Sequence, residues 1–376
     1  MQHSLVAERA RGDLEVLARA GLELETFLSE AVESLGRALP HVGACIGTHD
    51  PATRLLTSAR KYGMLAGSNE NDGLFGQIEY ESDETTTFRR MFDDGRTAVS
   101  MHLETGGELE RSVRMSRLMV PAYGFTDEVR VLFRAGETFW GSMSLFRGAG
   151  DPAFTASDGE FVAELASSFA RGIRNGILVQ VAGASAMTDA GPAVVIVDRD
   201  DEIVQFSAGA AARLELLRSA DHSADPMAML AGLVATARRR LRGENVPQAR
   251  IRVRSADGLW LLLHASALTG TAERAGDVVV TIEEARPPEI VTIVVSAFDL
   301  TPRERDVTQL VLQGADTRQI AHALHVSPYT VQDHLKSVFD KADVRSRREL
   351  IARVYFDQYE PRIGSQLGAD GAFARY

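Results

Sequence analysis

The sequence predicts an α+β protein of several domains. Two modules, each a small antiparallel sheet with helices, are followed by an all-α segment of four short helices. Three observations predict this. The chain has 376 residues, more than one average domain needs. Short apolar runs are joined by Gly136-Glu137 and Asp257-Gly258, pairs that turn β-hairpins. From residue 300 onward the apolar spacing becomes three and four, and each helical stretch opens on a residue able to cap it.

The elements follow in order. Residues 1–12 are polar and expected to fray. Over 13–39, Leu14, Leu17, Leu28, Val32, Leu35 and Leu39 mark one or two amphipathic helices, stopped by Pro40. Residues 42–48, carrying Cys45, read as a strand, 49–52 as a turn and 54–62 as the returning strand. The Gly, Asn, Asp and Ser content of 63–82 predicts a loop, 83–93 reads as a helix, and 100–118 has no clear period. Residues 129–135 and 138–147 form a hairpin. Ser157 and Glu160 have capping-box spacing ahead of a helix to about 179, with Phe161, Val162, Leu165, Phe169 and Ile173 on one face.

The second block starts after Gly183. Strands are expected at 193–197 and 203–206, helices at 208–217 and 227–241, and strands at 250–254, 259–265 and 278–284, with a polar stretch at 218–225. No long-period repeat is visible. Arg286-Pro287-Pro288 opens a stiff linker, 287–298. With Leu118-Met119-Val120-Pro121, Trp140-Gly141 in the 129–147 hairpin and the helix from Asp158, residues 13–180 resemble a GAF sensory domain. With Val194-Val195-Ile196-Val197-Asp198 and Asp257-Gly258-Leu259-Trp260, residues 184–286 resemble a PAS-like module. These resemblances imply a sensory role and a pocket over the sheet for a small molecule, which nothing in the sequence names.

The C-terminal segment is the most explicit. Thr301-Pro302-Arg303-Glu304 places a capping hydroxyl, a proline at the first helical position and a glutamate that can reach back to the cap. Val307, Leu310 and Val311 give that helix an inner face, and Gly314 ends it. Asp316 and Gln319 repeat the capping logic before a helix with Ile320, Ala321 and Leu324 inward. His325-Val326-Ser327 turns the chain. Ser327 caps a third helix, 328–342, whose inner face is Val331, Leu335, Val338 and Ala342. Ser346 and Glu349 open a fourth, with Leu350, Ile351 and Val354.

Four capped helices with a three-residue turn between the middle pair describe a helix-turn-helix. "LTPRERDVTQLVLQGADTRQIAHALHVSPYTVQDHLKSVFDKADVRSRREL" resembles the LuxR-type DNA-binding domain along its whole length, placing that domain at 299–358 with a disordered tail at 359–376. Gln319 stands where the family commonly has Glu, and His325 where it commonly has Gly. The resemblance implies a transcription regulator binding double-stranded DNA as a homodimer. An α-helix fits the major groove, so the outward residues of 328–342 are expected to meet bases and phosphates. The expected contact set is Thr317, Ser327, Tyr329, Thr330, Val331, Gln332, Asp333, Lys336, Arg345 and Arg347. Within it Gln332 suits adenine, Lys336 guanine or a phosphate, and Thr330 a phosphate; Val331 suits core packing better than base contact. Ser337 is expected to face outward with them, and Arg348 to add positive charge. Leu350, Ile351 and Val354 are the implied dimer contact. Acids and bases nearly cancel here, and Asp333 and Asp340 would repel phosphates, so dimerisation is expected to be needed for tight binding.

Composition bounds the alternatives. Hydrophobic residues make up 45% and charged residues 25%, so a wholly disordered chain is excluded. The net charge of −11 argues against coating nucleic acid, though not against one DNA-reading module. Cys45, the single cysteine, excludes an internal disulfide and a Cys-rich zinc site, and fits a buried small residue better than a redox thiol. No lysine lies between Lys61 and Lys336, which removes both a P-loop and the lysine of a phosphate-accepting receiver pocket around 194–201. His322 and His325 suit structure better than metal. No catalytic residue, metal or cofactor is expected. The apolar run 290–298 is far short of the roughly 20 residues that span a bilayer, so a cytoplasmic protein without membrane contact is expected. A signalling enzyme or an interaction scaffold with an auxiliary DNA-binding domain is the competing reading.

Overall fold

The computed structural model of the chain describes residues 2–179, 192–217, 226–255, 258–269, 274 and 276–355. The tail 359–376, the polar stretch 218–225, the expected start at 184 and Asp257 of the second hairpin turn lie outside the described residues. The chain divides into two compact units, residues up to 179 with 192–284, and residues from 285 onward.

The first unit opens with α1 (Gln2–Arg19) and α2 (Leu24–Ala38). The N-terminus is thus helical from Gln2, not frayed. Ala10, Leu14 and Ala18, each four residues apart, are 2%, 0% and 1% exposed and give α1 an apolar stripe. There follow β1 (Gly43–His49), β2 (Leu56–Gly63), α3 (Asp72–Glu81), α4 (Phe88–Asp93), β3 (Ala98–Ser100) and α5 (Met101–Thr105). A 3-10 turn at Leu109–Arg111 and a π turn at Met115–Met119 lead into α6 (Val120–Tyr123), β4 (Asp127–Ala135), β5 (Thr138–Arg147) and α7 (Ala156–Leu178). All five strands pair antiparallel in the order β2-β1-β5-β4-β3. Helix α7 lays Val162, Leu165, Phe169 and Ile173 against the sheet and packs on α1 and α2. Gly172 is needed there, because a Cβ would stand 2.0 Å from the ring of Phe27.

Three expectations change in this module. The cap of α7 is Thr155 rather than Ser157: its hydroxyl accepts from the Asp158 amide at 3.2 Å, and Asp158 accepts from the Thr155 amide at 2.8 Å. The expected loop 63–82 contains α3, whose charged residues are held from inside: Asp72 pairs with Lys61, and Glu79 with Arg130 at 2.8 Å. The expected helix 83–93 begins only at Phe88, where Thr87 caps it by accepting from the Arg90 amide. Arg114, Arg130 and Glu128 are all 0% exposed and form one buried ion network, with Arg114–Glu128 at 2.8 Å.

The second module comprises β6 (Ala193–Val197), β7 (Ile203–Phe206), α8 (Ala210–Leu217), α9 (Pro226–Leu241), β8 (Arg250–Arg254), β9 (Trp260–Ala267) and β10 (Val278–Glu284). Its order, β7-β6-β10-β9-β8, repeats that of the first sheet position for position. Helix α9 covers β9 and β10 and also packs on α3. Gly232 on α9 admits the ring of Tyr80, which a Cβ would meet at 2.8 Å. Asp50, 1% exposed, accepts from Arg252 Nε at 2.8 Å and Nη2 at 2.7 Å, and from the Arg252 amide at 3.0 Å. The two modules are therefore joined by a buried bidentate ion pair.

The second unit comprises α10 (Pro287–Ala297), α11 (Pro302–Leu312), α12 (Thr317–Leu324), α13 (Pro328–Lys341) and α14 (Arg347–Tyr355). The expected linker 287–298 is therefore mostly helical. Proline is tolerated in the first turn, where its missing amide costs nothing, and Glu289 accepts from the Arg286 amide at 2.8 Å. Ile290, Ile293 and Val294 are buried, and α10 packs on α14.

Candidate nucleic-acid interface

Local chemistry fixes the three helices that build this surface. Glu304 accepts from the Thr301 amide at 2.7 Å, and Thr301 Oγ1 accepts from the Glu304 amide at 3.3 Å, closing the box that starts α11. Asp316 accepts from the amides of Arg318 and Gln319 at 2.8 Å, while Gln319 accepts from the Asp316 amide at 2.7 Å. Ser327 accepts from the Thr330 amide at 3.0 Å and starts α13. Caps of this kind are each worth about 1 kcal/mol.

Between α12 and α13 the chain reverses at His325, which has φ 55° and ψ 43°. The left-handed region suits glycine, and an unbranched side chain tolerates it better than a branched one. The Val326 amide donates to Ala321 O at 3.0 Å and closes the turn.

Helix α13 then presents two opposite faces. Val331, Leu335 and Val338 are 0%, 2% and 0% exposed and hold the helix to α11 and α12. Burial of this size contributes about 1.5–3 kcal/mol per side chain. Tyr329 is 77% exposed, and Gln332, Asp333 and Lys336 are exposed as well. Val331 therefore leaves the expected contact set: wholly enclosed, it cannot reach a groove on the far side of the helix.

The other expected residues separate into groups. Thr317 on α12 is half-buried and its hydroxyl accepts from Gln332 Nε2 at 3.4 Å and Arg347 Nη2 at 3.3 Å, so those three converge. Arg347 also donates to Ala315 O at 2.5 Å, which commits its guanidinium to the start of α12. Ser327 and Thr330 hydroxyls bond each other at 2.9 Å at the start of α13, where the Thr330 amide already donates to Ser327 Oγ. Arg345 and Arg348 are exposed. Leu350 and Val354, expected at a dimer contact, are instead 0% and 1% exposed within the chain, and only Ile351 keeps partial exposure. Their burial accompanies the packing of α14 on α10, the helix that sequence reading took for a linker.

Sequence reading missed the role of Glu304 beyond its cap. Its carboxylate also accepts from Ser337 at 2.6 Å and Lys341 at 2.7 Å, clamping α11 to α13. Burial pushes this carboxyl up, but hydrogen bonds from Lys341, Ser337 and Thr301 outweigh that and hold it at about 2. Ser337 and Lys341 are thereby turned away from the outer face. The i, i+4 spacing of Ser337 and Lys341 was the available signal; their partner on another helix was not visible.

In the first unit, a cavity of about 50 Å³ lies among Cys45, Leu56, Tyr80, Leu118, Tyr123 and Phe146. Burial pushes the Cys45 thiol up to about 11, away from the thiolate that redox sensing uses. Burial also draws His49, at the same cavity, down to about 4, so it is neutral there. Among the described residues no group of three or more His, Cys, Asp or Glu could hold a metal, and no helix is long and apolar enough to cross a membrane.

Residues 299–354 match the family of bacterial regulatory proteins of the luxR type. A protein of Mycobacterium tuberculosis described as an HTH-type transcriptional regulator is 50% identical over 52 residues, 14% of this chain and 6% of the relative. The monoamine regulon transcriptional regulator of Klebsiella aerogenes is 39% identical over 56 residues, 15% of this chain and 25% of the relative. The nitrate/nitrite response regulator NarL of Escherichia coli is 39% identical over 56 residues, 15% of this chain and 26% of the relative. The chain thus spans about a quarter or less of these proteins, all of them named as regulators. The crystal structure of the phage VqmA–DPO complex is 18% identical with a TM-score of 0.24, covering 43% of this chain and 79% of that one.

Proposed function

We propose that this protein is a transcriptional regulator that binds double-stranded DNA as a homodimer, reading the major groove with the outer face of α13, and that its first unit sets that activity. The observation that carries this reading is the geometry of the helix pair. Two capped helices meet across a left-handed His325, bury one stripe of α13 and leave Tyr329, Gln332, Asp333 and Lys336 exposed on the opposite side. The luxR-type match over 299–354 supports it. Thr317, Ser327 and Thr330 suit phosphate oxygens at the helix starts, and Arg345 and Arg348 add positive charge nearby.

Charge supports the dimer. Residues 300–355 carry nine Lys and Arg against seven Asp and Glu, too little surplus for one copy to hold DNA tightly. With Leu350 and Val354 enclosed, the dimer contact falls to Ile351 and its exposed neighbours on α14. The first unit is read as two sensory modules, GAF-like at 13–180 and PAS-like at 184–286, with an unidentified small molecule or a partner as the signal. Their shared strand order and buried ion pair support their acting together.

The test is an anisotropy titration of a labelled fragment selected by the wild-type chain from a pool of genomic DNA. Wild type binds with an affinity that falls as salt rises, and the Gln332→Ala/Lys336→Ala double variant binds at least tenfold more weakly with an unchanged melting temperature. Equal binding by the double variant would sink the recognition face, and no binding by wild type would sink the regulator reading.

A further inference from the structure

Asp333 is an acid on a surface read as meeting a polyanion. Counting about 100° per residue around α13, Val331, Leu335 and Val338 define the buried direction, and Asp333 lies about 200° from Val331, almost opposite that stripe. Tyr329 and Lys336 flank it on the same exposed ridge, one turn before and about one turn after. Gln332 lies to one side, where its amide reaches Thr317. On geometry alone, Asp333 is therefore the residue aimed most directly at the floor of a groove. Among the described residues it has no ion pair or side-chain hydrogen bond, whereas the acid Glu304 is saturated.

A carboxylate there can only accept hydrogen bonds. In the major groove, guanine offers acceptors alone and thymine an acceptor and a methyl group. Adenine offers its N6 amino group beside the N7 acceptor, which repels a carboxylate. Cytosine offers its N4 amino group with no acceptor of its own in the groove. Lys336, about one turn further on, is a pure donor and matches the O6 and N7 of guanine. Together they form an acceptor beside a donor, the complement of a C·G pair or of two adjacent ones.

We propose that Asp333 is the specificity-determining residue of α13, accepting a hydrogen bond from cytosine N4 in each half-site while Lys336 serves a guanine beside it. This rests on the reading of α13 as a DNA-reading helix. The same carboxylate that rewards cytosine penalises other bases at that position and, by repelling phosphates, weakens binding to unrelated DNA. Asp340, two turns further along, lies beyond the N-terminal part of the helix that reaches base edges.

The experiment is selection from a randomised duplex pool by the full chain, as wild type, Asp333→Ala, Asp333→Asn and Asp340→Ala, at one fixed salt concentration. Wild type is expected to enrich a two-fold motif with cytosine at a fixed position of each half-site. Asp333→Ala is expected to lose about tenfold of the preference at that position alone and to bind unrelated DNA more tightly. Asp333→Asn is expected to shift the preference from cytosine toward adenine, and Asp340→Ala to keep the wild-type motif. Equal melting temperatures rule out misfolding, since Asp333 is exposed. A motif unchanged in Asp333→Ala overturns this inference while leaving DNA reading intact, whereas a wild type that enriches nothing overturns the DNA-reading function itself.

Discussion

Val331 and Lys336 stand five residues apart on one helix and answer to different physics. Val331 is wholly enclosed, so Val331→Ala removes buried methyl groups and leaves a space, costing about 1–3 kcal/mol and lowering the melting temperature. Lys336→Ala removes an exposed cation, and is expected to leave the melting temperature unchanged and to weaken DNA binding. Thermal melts and binding titrations of the two variants side by side check the assignment; a stable Val331→Ala with impaired DNA binding would contradict it. Glu304 adds a pH dependence. Its carboxyl is held at about 2 in the fold, below its ordinary value of 4.5, so its stabilisation is complete above about pH 4.5 and is lost as pH falls toward 2. The size is on the order of 2–3 kcal/mol. Glu304→Gln is expected to be less stable at pH 7 and to lack that acid-driven part of the decline, as calorimetry of the full chain between pH 2 and 7 would reveal.

At the scale of elements, the helix-turn-helix was legible in the sequence because several independent signals coincide over a few residues. Thr301, Asp316 and Ser327 each stand before a helix start, with Glu304 and Gln319 three residues after their caps. His325 tests the turn. A branched side chain in the left-handed region is strained, so His325→Val is expected to cost about 1–2 kcal/mol, while His325→Gly is tolerated. Chemical denaturation measures both, and equal stability of the two variants would remove the turn's conformational demand. The elements that sequence reading misplaced depend on distant partners. Helix α3 reads as a loop because Asn69, Glu70, Asn71, Asp72 and Gly73 look solvated, yet Asp72 and Glu79 are buried against Lys61 and Arg130. Helix α10 reads as a linker because two prolines open it, yet prolines fit a first turn and Ile290, Ile293 and Val294 are buried. The burial of Leu350 and Val354 was unforeseen for the same reason, since the helix that α14 packs against was not expected to exist.

For the whole molecule, the first unit is built from two five-stranded sheets of identical order, a repeat invisible as sequence identity because topology constrains only where apolar residues alternate. Asp50 and Arg252, 202 residues apart in the chain, join the modules in a buried pair. Removing one partner leaves an uncompensated charge, so Arg252→Ala is expected to cost about 3–5 kcal/mol, and Asp50→Ala/Arg252→Ala to recover part of that loss. A double-mutant cycle read by chemical denaturation gives the coupling, and additive effects would mean that the pair does not join the modules energetically. The central claim is more directly open to a genomic test. Sites cross-linked to the wild-type protein in cells should share a short two-fold sequence with half-site centres spaced by about one helical turn, and those sites should be lost in the Gln332→Ala/Lys336→Ala variant. Sites sharing no sequence, or an unchanged map in the variant, would contradict the reading of α13 as the part of this protein that recognises DNA.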